Sequence, residues 1–265
     1  MESNLRPILA VNPVAPYLGG KRLLARRISE RLRVVPHTIY VEPFVGMGGV
    51  FLRRPFQVQC EVINDLNRDV SNLFRVLQRH YVALMDLLRW QVTGRAEFER
   101  LTAAVPDTLT DLERAARFLY LQRTAFGGKI SGRNFGVSMR SARFDVQKLG
   151  AVLEDVHARL SGVTIECLTW QEVIRRYDRS ETLFYLDPPY WGCENDYDAT
   201  FDRSQFDEMA DLLGGIKGRF IVSLNDRPEV RQTFSRFEVE AVSVAYSVSR
   251  SAAGRGQRGE VLISN

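Results

Sequence analysis

A doubly wound α/β fold is what this sequence predicts, and three observations carry the expectation. Short apolar runs alternate with helical patterns along the chain. The runs are β-branched or aromatic and nearly continuous, as strands buried on both faces of a parallel sheet must be. Each run ends in a polar cluster, and in such sheets ligands bind at the carboxyl ends of the strands. The 265 residues are 45% hydrophobic and 26% charged, which excludes a disordered chain and leaves room for one domain with a large insertion.

The first predicted strand, Thr38 to Val41, leads into Glu42-Pro43-Phe44-Val45-Gly46-Met47-Gly48-Gly49. The second, Glu61 to Ile63, leads into Asn64-Asp65-Leu66-Asn67. The third, Thr182 to Leu186, leads into Asp187-Pro188-Pro189-Tyr190, and the fourth, Phe220 to Leu224, into Asn225-Asp226. Leu23 to Leu32 and Ser204 to Leu213 have helical spacing. Val239 to Val248 and Glu260 to Ile263 read as a terminal antiparallel hairpin on the sheet edge, joined by the turn Ser249 to Gly259.

Between about Val70 and Cys167 the rhythm breaks. Val70 to Trp90, Leu109 to Thr124 and Val146 to Leu160 have helical spacing, and Phe126 to Gly136 forms a glycine-rich basic loop, a hairpin or ligand-contacting element. The division expected is a core of residues 1–70 and 166–265 carrying a mostly helical insertion, 71–165. No internal repeat or low-complexity tract is present.

Charge and cysteine usage narrow the partners. Lys+Arg is 36 against Asp+Glu 32, a net charge of +4. From Arg114 to Arg143 there are basic residues at Arg114, Arg117, Arg123, Lys129, Arg133, Arg140 and Arg143 and no acidic ones, which points to a local polyanion contact or a solvated surface. Cys60, Cys167 and Cys193 lie far apart, against a disulfide framework or a zinc site and in favour of a reducing cytoplasm. No apolar run approaches the ~20 residues of a membrane span, and Met1 to Ala10 lacks the apolar stretch of a signal peptide. His37, His80 and His157 match no catalytic constellation.

The clusters suit particular chemistry. Gly46, Gly48 and Gly49 permit a tight turn with close backbone approach to a ligand, although they do not satisfy the dinucleotide fingerprint. Asp65 ends the next strand, where a carboxylate can accept both hydroxyls of a ribose or cap the following helix. Asp187-Pro188-Pro189-Tyr190 is the strongest signal. Two prolines fix a rigid turn without backbone donors, so the carbonyls of Asp187 and Pro188 are left as acceptors. A carboxylate, a carbonyl and an aromatic face suit a planar exocyclic amino group with two N–H donors. Pro16-Tyr17-Leu18-Gly19-Gly20-Lys21 permits a close loop, with Lys21 able to pair with a carboxylate.

In this order, these motifs with Leu121-Gln122-Arg123-Thr124-Ala125-Phe126-Gly127-Gly128 and Ser223-Leu224-Asn225-Asp226 resemble the Dam-type, D12-class DNA adenine-N6 methyltransferases of the α-group over nearly the whole chain. The resemblance implies a Rossmann-like S-adenosylmethionine-binding sheet, no metal, and a target-recognition domain at 71–165. It implies that Tyr17, Lys21, Phe44, Gly46, Gly48, Asp65 and Asp187 line the cofactor site. It implies a catalytic set of Asp187, Pro188, Pro189 and Tyr190. Double-stranded DNA is the implied partner, with Arg123, Lys129, Arg133, Arg140 and Arg143 as candidate contacts. A cognate restriction nuclease is a partner that the family admits, a monomer is the default state, and the cytoplasmic nucleoid the implied location. The stretch after Phe126 departs from the family's usual pattern, so site-specific and relaxed activity both stay open. Alternatives are cytosine-N4 or RNA amino methylation, and a catalytically silent DNA-binding homologue.

Overall fold

The structure is a computed structural model, and it describes residues 5–17, 19–128, 132–137, 142–192, 201–245 and 257–265, with the side chains of 243–245 and 257–258 left aside. In chain order the elements are β1 (Arg6–Pro7), α1 (Ala25–Val34), β2 (Ile39–Glu42), β3 (Phe56–Gln57), β4 (Cys60–Asn64), α2 (Arg68–Arg79), α3 (Tyr81–Leu88), α4 (Arg95–Ala103) and α5 (Asp111–Thr124). There follow α6 (Val146–Arg159), β5 (Thr164–Glu166), α7 (Trp170–Tyr177), β6 (Thr182–Leu186), α8 (Ser204–Leu213), β7 (Arg219–Asn225), α9 (Pro228–Thr233), β8 (Glu238–Ala245) and β9 (Gln257–Ser264).

The main sheet has seven strands in the order β5-β4-β2-β6-β7-β9-β8. The first five are parallel, and β9 runs antiparallel between β7 and β8. This is the α/β architecture expected, with the terminal hairpin at the edge and β8 outermost. The linking turn, placed by sequence at Ser249 to Gly259, lies largely outside the described residues. The chain leaves β2 toward β4 and β5 on one side and reaches β6 and β7 on the other. A crevice therefore opens between β2 and β6, where the strand order reverses.

Alternation along the strands sends side chains into two cores. Tyr40, Ile63, Leu183, Tyr185 and Ile221 pack on one face with α1 and the helices before β5. Val41, Val62, Phe184, Leu186, Phe220 and Val222 pack on the other with α7, α8 and α9. The helices of the 71–165 segment share the first core: Phe74, Phe118, Tyr120 and Leu153 belong to the same buried cluster as Tyr40 and Leu183.

Local signals set the helix ends. Thr110 with Glu113 and Thr169 with Glu172 form capping boxes at α5 and α7. Asn67 caps α2 by accepting from the Asp69 N–H. The predicted helix Val70 to Trp90 is two helices, because His80 leaves helical backbone (φ −129°, ψ 31°) while its N–H still bonds the Val76 carbonyl. The glycine-rich loop does pair as a hairpin base: the Phe126 N–H bonds the Asn134 carbonyl at 2.8 Å and the Gly136 N–H the Thr124 carbonyl at 2.8 Å.

A buried ion cluster ties the helical segment to the sheet. Glu61 of β4 accepts from Arg54, which is fully buried, and from Nη1 of Arg159 on α6 at 2.6 Å. Arg54 stacks on Tyr40 at 3.7 Å and Arg159 on Phe51 at 4.0 Å. Removing the shared carboxylate leaves two desolvated guanidiniums, a loss of about 3–5 kcal/mol. Glu61→Gln is therefore expected to lower the unfolding free energy by roughly that much in urea titration. Glu30→Gln, which breaks only the exposed Arg26 pair, should cost less than about 1 kcal/mol.

Candidate active site

Three strand-end loops are laced together at the carboxyl edge. Asn64, at the end of β4, donates through Nδ2 to the carbonyls of Pro43 and Leu168 at 2.9 and 3.0 Å, and its Oδ1 accepts from the Leu168 N–H at 2.8 Å. Its own carbonyl accepts from the Val45 N–H at 2.9 Å. Asp65 then takes the Gly46 N–H on Oδ2 and the Asn67 N–H on Oδ1, both at 2.9 Å. The loops after β2, β4 and β5 thus share one dipeptide as their anchor. Burial pushes the Asp65 carboxyl up to about 6, against the two backbone N–H bonds that favour its charged form.

The glycines of the loop have separate duties. Gly46 has φ +50°, and a Cβ there would meet Tyr17 Cε1 at 2.8 Å, so the tyrosine ring lies against bare backbone. Gly48 has φ +72°, and a Cβ there would meet Leu52 Cγ at 2.8 Å. Gly48 therefore faces protein and not the cavity, and its place in the turn is a packing requirement.

Opposite this loop stands the end of β6. Asp187 Oδ1 accepts from Lys21 Nζ at 2.9 Å and from Ser223 Oγ of β7 at 3.0 Å. Both partners use the same oxygen. Oδ2 has no partner among the described residues. Lys21 is buried, and its ammonium also reaches the Tyr190 hydroxyl and, at 3.3 Å, Glu260 Oε2 of β9. Asn225, at the end of β7, accepts from the Trp191 N–H at 3.0 Å and donates to the Trp191 carbonyl at 2.9 Å. This two-bond ring pins the proline turn that carries Tyr190. Burial raises the Asp187 carboxyl, opposed by Lys21, helped by the charge of Glu260 and opposed again by the Ser223 bond.

The two edges enclose a cavity of about 1090 Å³. Tyr17, Lys21, Phe44, Gly46, Asp65, Asp187, Pro188, Pro189 and Tyr190 all line it, and Gly48 does not. Phe44 meets Phe201 edge to face at 6.0 Å on the same wall. Of the basic candidates, Lys129 and Arg140 lie outside the described residues, as does Leu18 of the first motif. Arg123 lines the cavity and spends one N–H on the Val14 carbonyl at 2.7 Å. Arg133 lines it too, beside Gln122 Oε1 at 3.4 Å. Arg143 does not line it and bonds the Ala125 carbonyl at 3.1 Å. Among the described residues, no cluster of three His, Cys, Asp or Glu could hold a metal, and no helix is long and apolar enough to cross a membrane.

Sequence reasoning missed Glu42 and Glu260. Glu42 closes β2 and is fully buried on the cavity wall, with the Tyr40 hydroxyl donating to it at 2.7 Å. Desolvation pushes its carboxyl up to about 8, while the Tyr40 bond and Arg54 pull it down and Asp187 pushes it further up. A carboxylic acid at a strand's last position is the only signal the sequence held. Glu260 is out of reach of local reading, because it meets Lys21 only once β9 has inserted beside β7.

A mostly parallel sheet with a glycine loop on one side of its switch point and a lysine-paired carboxylate on the other is the frame of a nucleotide-cofactor enzyme. Residues 17–248 match the D12 class of N6-adenine-specific DNA methyltransferases, and the chain belongs to that family. It is accordingly an S-adenosylmethionine-dependent enzyme that methylates adenine N6 in DNA. Its relatives include the DNA adenine methylase of Vibrio cholerae serotype O1, 26% identical over 93% of each chain. The DNA adenine methylase of Haemophilus influenzae is 23% identical, over 98% of this chain and 96% of that one. The type II methyltransferase M.CviBI of Paramecium bursaria Chlorella virus NC1A is 20% identical, over 86% of this chain and 88% of that one.

The wall carboxyls make stability depend on pH. A carboxyl with its folded pKa raised binds more protons folded than unfolded, so it subtracts stability as pH rises from its unfolded to its folded value. For Glu42 that window runs from its ordinary 4.5 to about 8. Glu42→Gln keeps an acceptor for Tyr40 and removes the titration. Urea midpoints from pH 5 to 8 are expected to fall less for the variant than for the native protein, with a gain on the order of 1–3 kcal/mol at pH 8. Asp65 and Asp187, raised in the same direction, leave a residual slope.

Proposed function

We propose that Asp187, Pro188, Pro189 and Tyr190 receive an adenine flipped from duplex DNA, and that the open Oδ2 of Asp187 with the Pro188 carbonyl accepts its two N6 hydrogens. The observation that supports this reading most is the one-sided anchoring of Asp187. Lys21 and Ser223 fix Oδ1, so the carboxylate is oriented without being spent. Two acceptors on the amino group localise its lone pair along one direction, and the rigid proline turn holds that direction without reorganisation. Tyr190, steadied by Lys21, offers the stacking face that repays part of the few kcal/mol of unstacking.

The opposite wall fits S-adenosylmethionine, which supplies, when bound, a methyl group already activated on sulfonium. Each Asp65 oxygen takes one backbone N–H and keeps lone pairs for a ribose hydroxyl. Gly46 and Tyr17 leave a flat backbone-and-ring surface, and Phe44 with Phe201 an apolar one. A volume of about 1090 Å³ stands just above the ~300–1,000 Å³ range of single-ligand pockets and suits two ligands side by side. In this reading Lys21 is a positioning residue, because Asp187, Tyr190 and Glu260 occupy its ammonium.

The helical segment 71–165 serves as the target-recognition part, acting in the manner of Dam-type, α-group enzymes. The motif order, glycine loop then insertion then Asp-Pro-Pro-Tyr, supports this, as does similarity to the Vibrio and Haemophilus DNA adenine methylases. Arg123, Arg133 and Arg143 remain the proposed duplex contacts, with Lys129 and Arg140.

Methyl transfer to unmethylated genomic DNA, mapped by single-molecule sequencing, tests the reading. The native protein should deposit N6-methyladenine at a defined or broad set of sites. Asp187→Ala should lose at least about 10²-fold in rate. N4-methylcytosine in the product nucleosides, or no methylation despite cofactor binding, would reject it.

A further inference from the structure

Two arginines outside every motif above stand at the mouth of the same cavity. Arg22 follows the buried Lys21 in the turn Gly20–Arg22, its N–H bonded to the Gly20 carbonyl at 2.7 Å, and its side chain is exposed. Arg53 ends the helical turn after the glycine loop and donates through Nη1 to the Gly49 carbonyl at 2.9 Å. Both line the cavity. Gly49 shows how close the two segments lie. The point where its Cβ would stand is 3.9 Å from Arg53 Nη1 and 3.3 Å from the Lys21 backbone N. The guanidinium of Arg53 feels that of Arg22: after burial, the charge of Arg22 lowers the Arg53 pKa.

Neither arginine has a carboxylate partner among the described residues. Their neighbours on α1 do: Arg26 pairs with Glu30, and Arg27 and Arg31 share Glu240. The acids nearest in the site, Asp187 and Glu260, are engaged by Lys21. Two like charges held together without an acid call for an anion from outside. A phosphodiester suits them, since its oxygens can accept from two planar forks at once. A base flipped into the cavity also leaves its own phosphates at the mouth.

We propose that Arg22 and Arg53 clamp a backbone phosphate of the target strand beside the flipped nucleotide. The clamp rests on the reading that the cavity takes a base from duplex DNA. It carries no sequence information and fixes the register in which base contacts from the helical segment act.

The test is the salt dependence of duplex affinity, by fluorescence anisotropy on the full chain, for native protein, Arg22→Gln/Arg53→Gln, Arg22→Lys/Arg53→Lys and the control Arg26→Gln. Cofactor affinity is measured alongside by calorimetry. Losing one phosphate contact lowers the slope of log K against log salt by about 0.9. The expected result is that drop for the glutamine pair, with about three- to tenfold weaker binding at low salt, unchanged cofactor affinity, a near-native slope for the lysine pair, and no change for Arg26→Gln. A native slope in the glutamine pair would overturn the clamp and leave the methyltransferase reading intact. Lost cofactor affinity with an unchanged DNA slope would also overturn it, assigning the anion as the cofactor's carboxylate. A native protein that neither binds duplex nor methylates DNA would remove both the reading and the clamp.

Discussion

Asn64 and Asp65 sit where β4 ends, and between them they satisfy backbone groups from three loops. The Asn64 side chain bridges Pro43 and Leu168, its carbonyl takes the Val45 N–H, and the Asp65 carboxylate takes Gly46 and Asn67. Loops at strand ends carry polar groups that no ladder satisfies, and each buried one left unpaired costs about 1–3 kcal/mol. One dipeptide discharges most of that debt for the floor of the cavity. The position of Gly46, the seat of Tyr17 and the direction of the Asp65 carboxylate follow from it. The Asp65 carboxyl stays ionisable despite burial because the same two N–H bonds that shape the loop also stabilise its charge.

The second wall is held by a different device. It hangs on side chains at β6 and β7: Asp187 and Tyr185 both meet Ser223, at 3.0 and 2.8 Å, and the Asn225 amide holds the Trp191 backbone. Sites built on strand ends are more exact than sites built on loops, and here the Asp187 wall is braced by two strands. The helical segment reaches this frame through its own polar contacts. Gln122 of α5 donates to the carbonyls of Pro16 and Gly128 at 2.8 and 2.7 Å, which seats the glycine-rich hairpin on the residue before Tyr17.

What could be read from sequence divides along physical lines. The parallel strands were legible because burial on both faces leaves a local trace, as in Thr182 to Leu186, where every residue is buried. The wall residues Asp65, Asp187 and Tyr190 were legible because strand ends at a switch point gather in space whatever the loops do. The three-residue strand β5 was not, since it makes its case only by pairing with β4. His80 gave no warning of the break between α2 and α3, because its local pattern is helical on both sides. Glycines in one motif looked alike, yet Gly46 faces the cavity and Gly48 faces Leu52. Glu260, Arg22 and Arg53 acquire meaning only from contacts that tertiary structure makes.

Lysine is scarce in this chain: Lys21, Lys129, Lys148 and Lys217 are the only ones beside a large arginine complement. That one of them is buried at the centre of the site has a geometric reason. An ammonium is a compact point charge whose three donors radiate in different directions, whereas a guanidinium offers a planar fork. Asp187, Glu260 and the Tyr190 hydroxyl reach the Lys21 ammonium from the end of β6, from β9 and from the proline turn. The charge count matters equally. The charge of the buried Glu260 pushes the Asp187 carboxyl further up. Lys21 opposes that rise through its charge and its bond to Asp187. Arg22, one residue further on, points the same turn toward solvent and carries the kind of charge that Lys21 has spent inside. A single turn thereby serves the buried acceptor with one residue and the cavity mouth with the next.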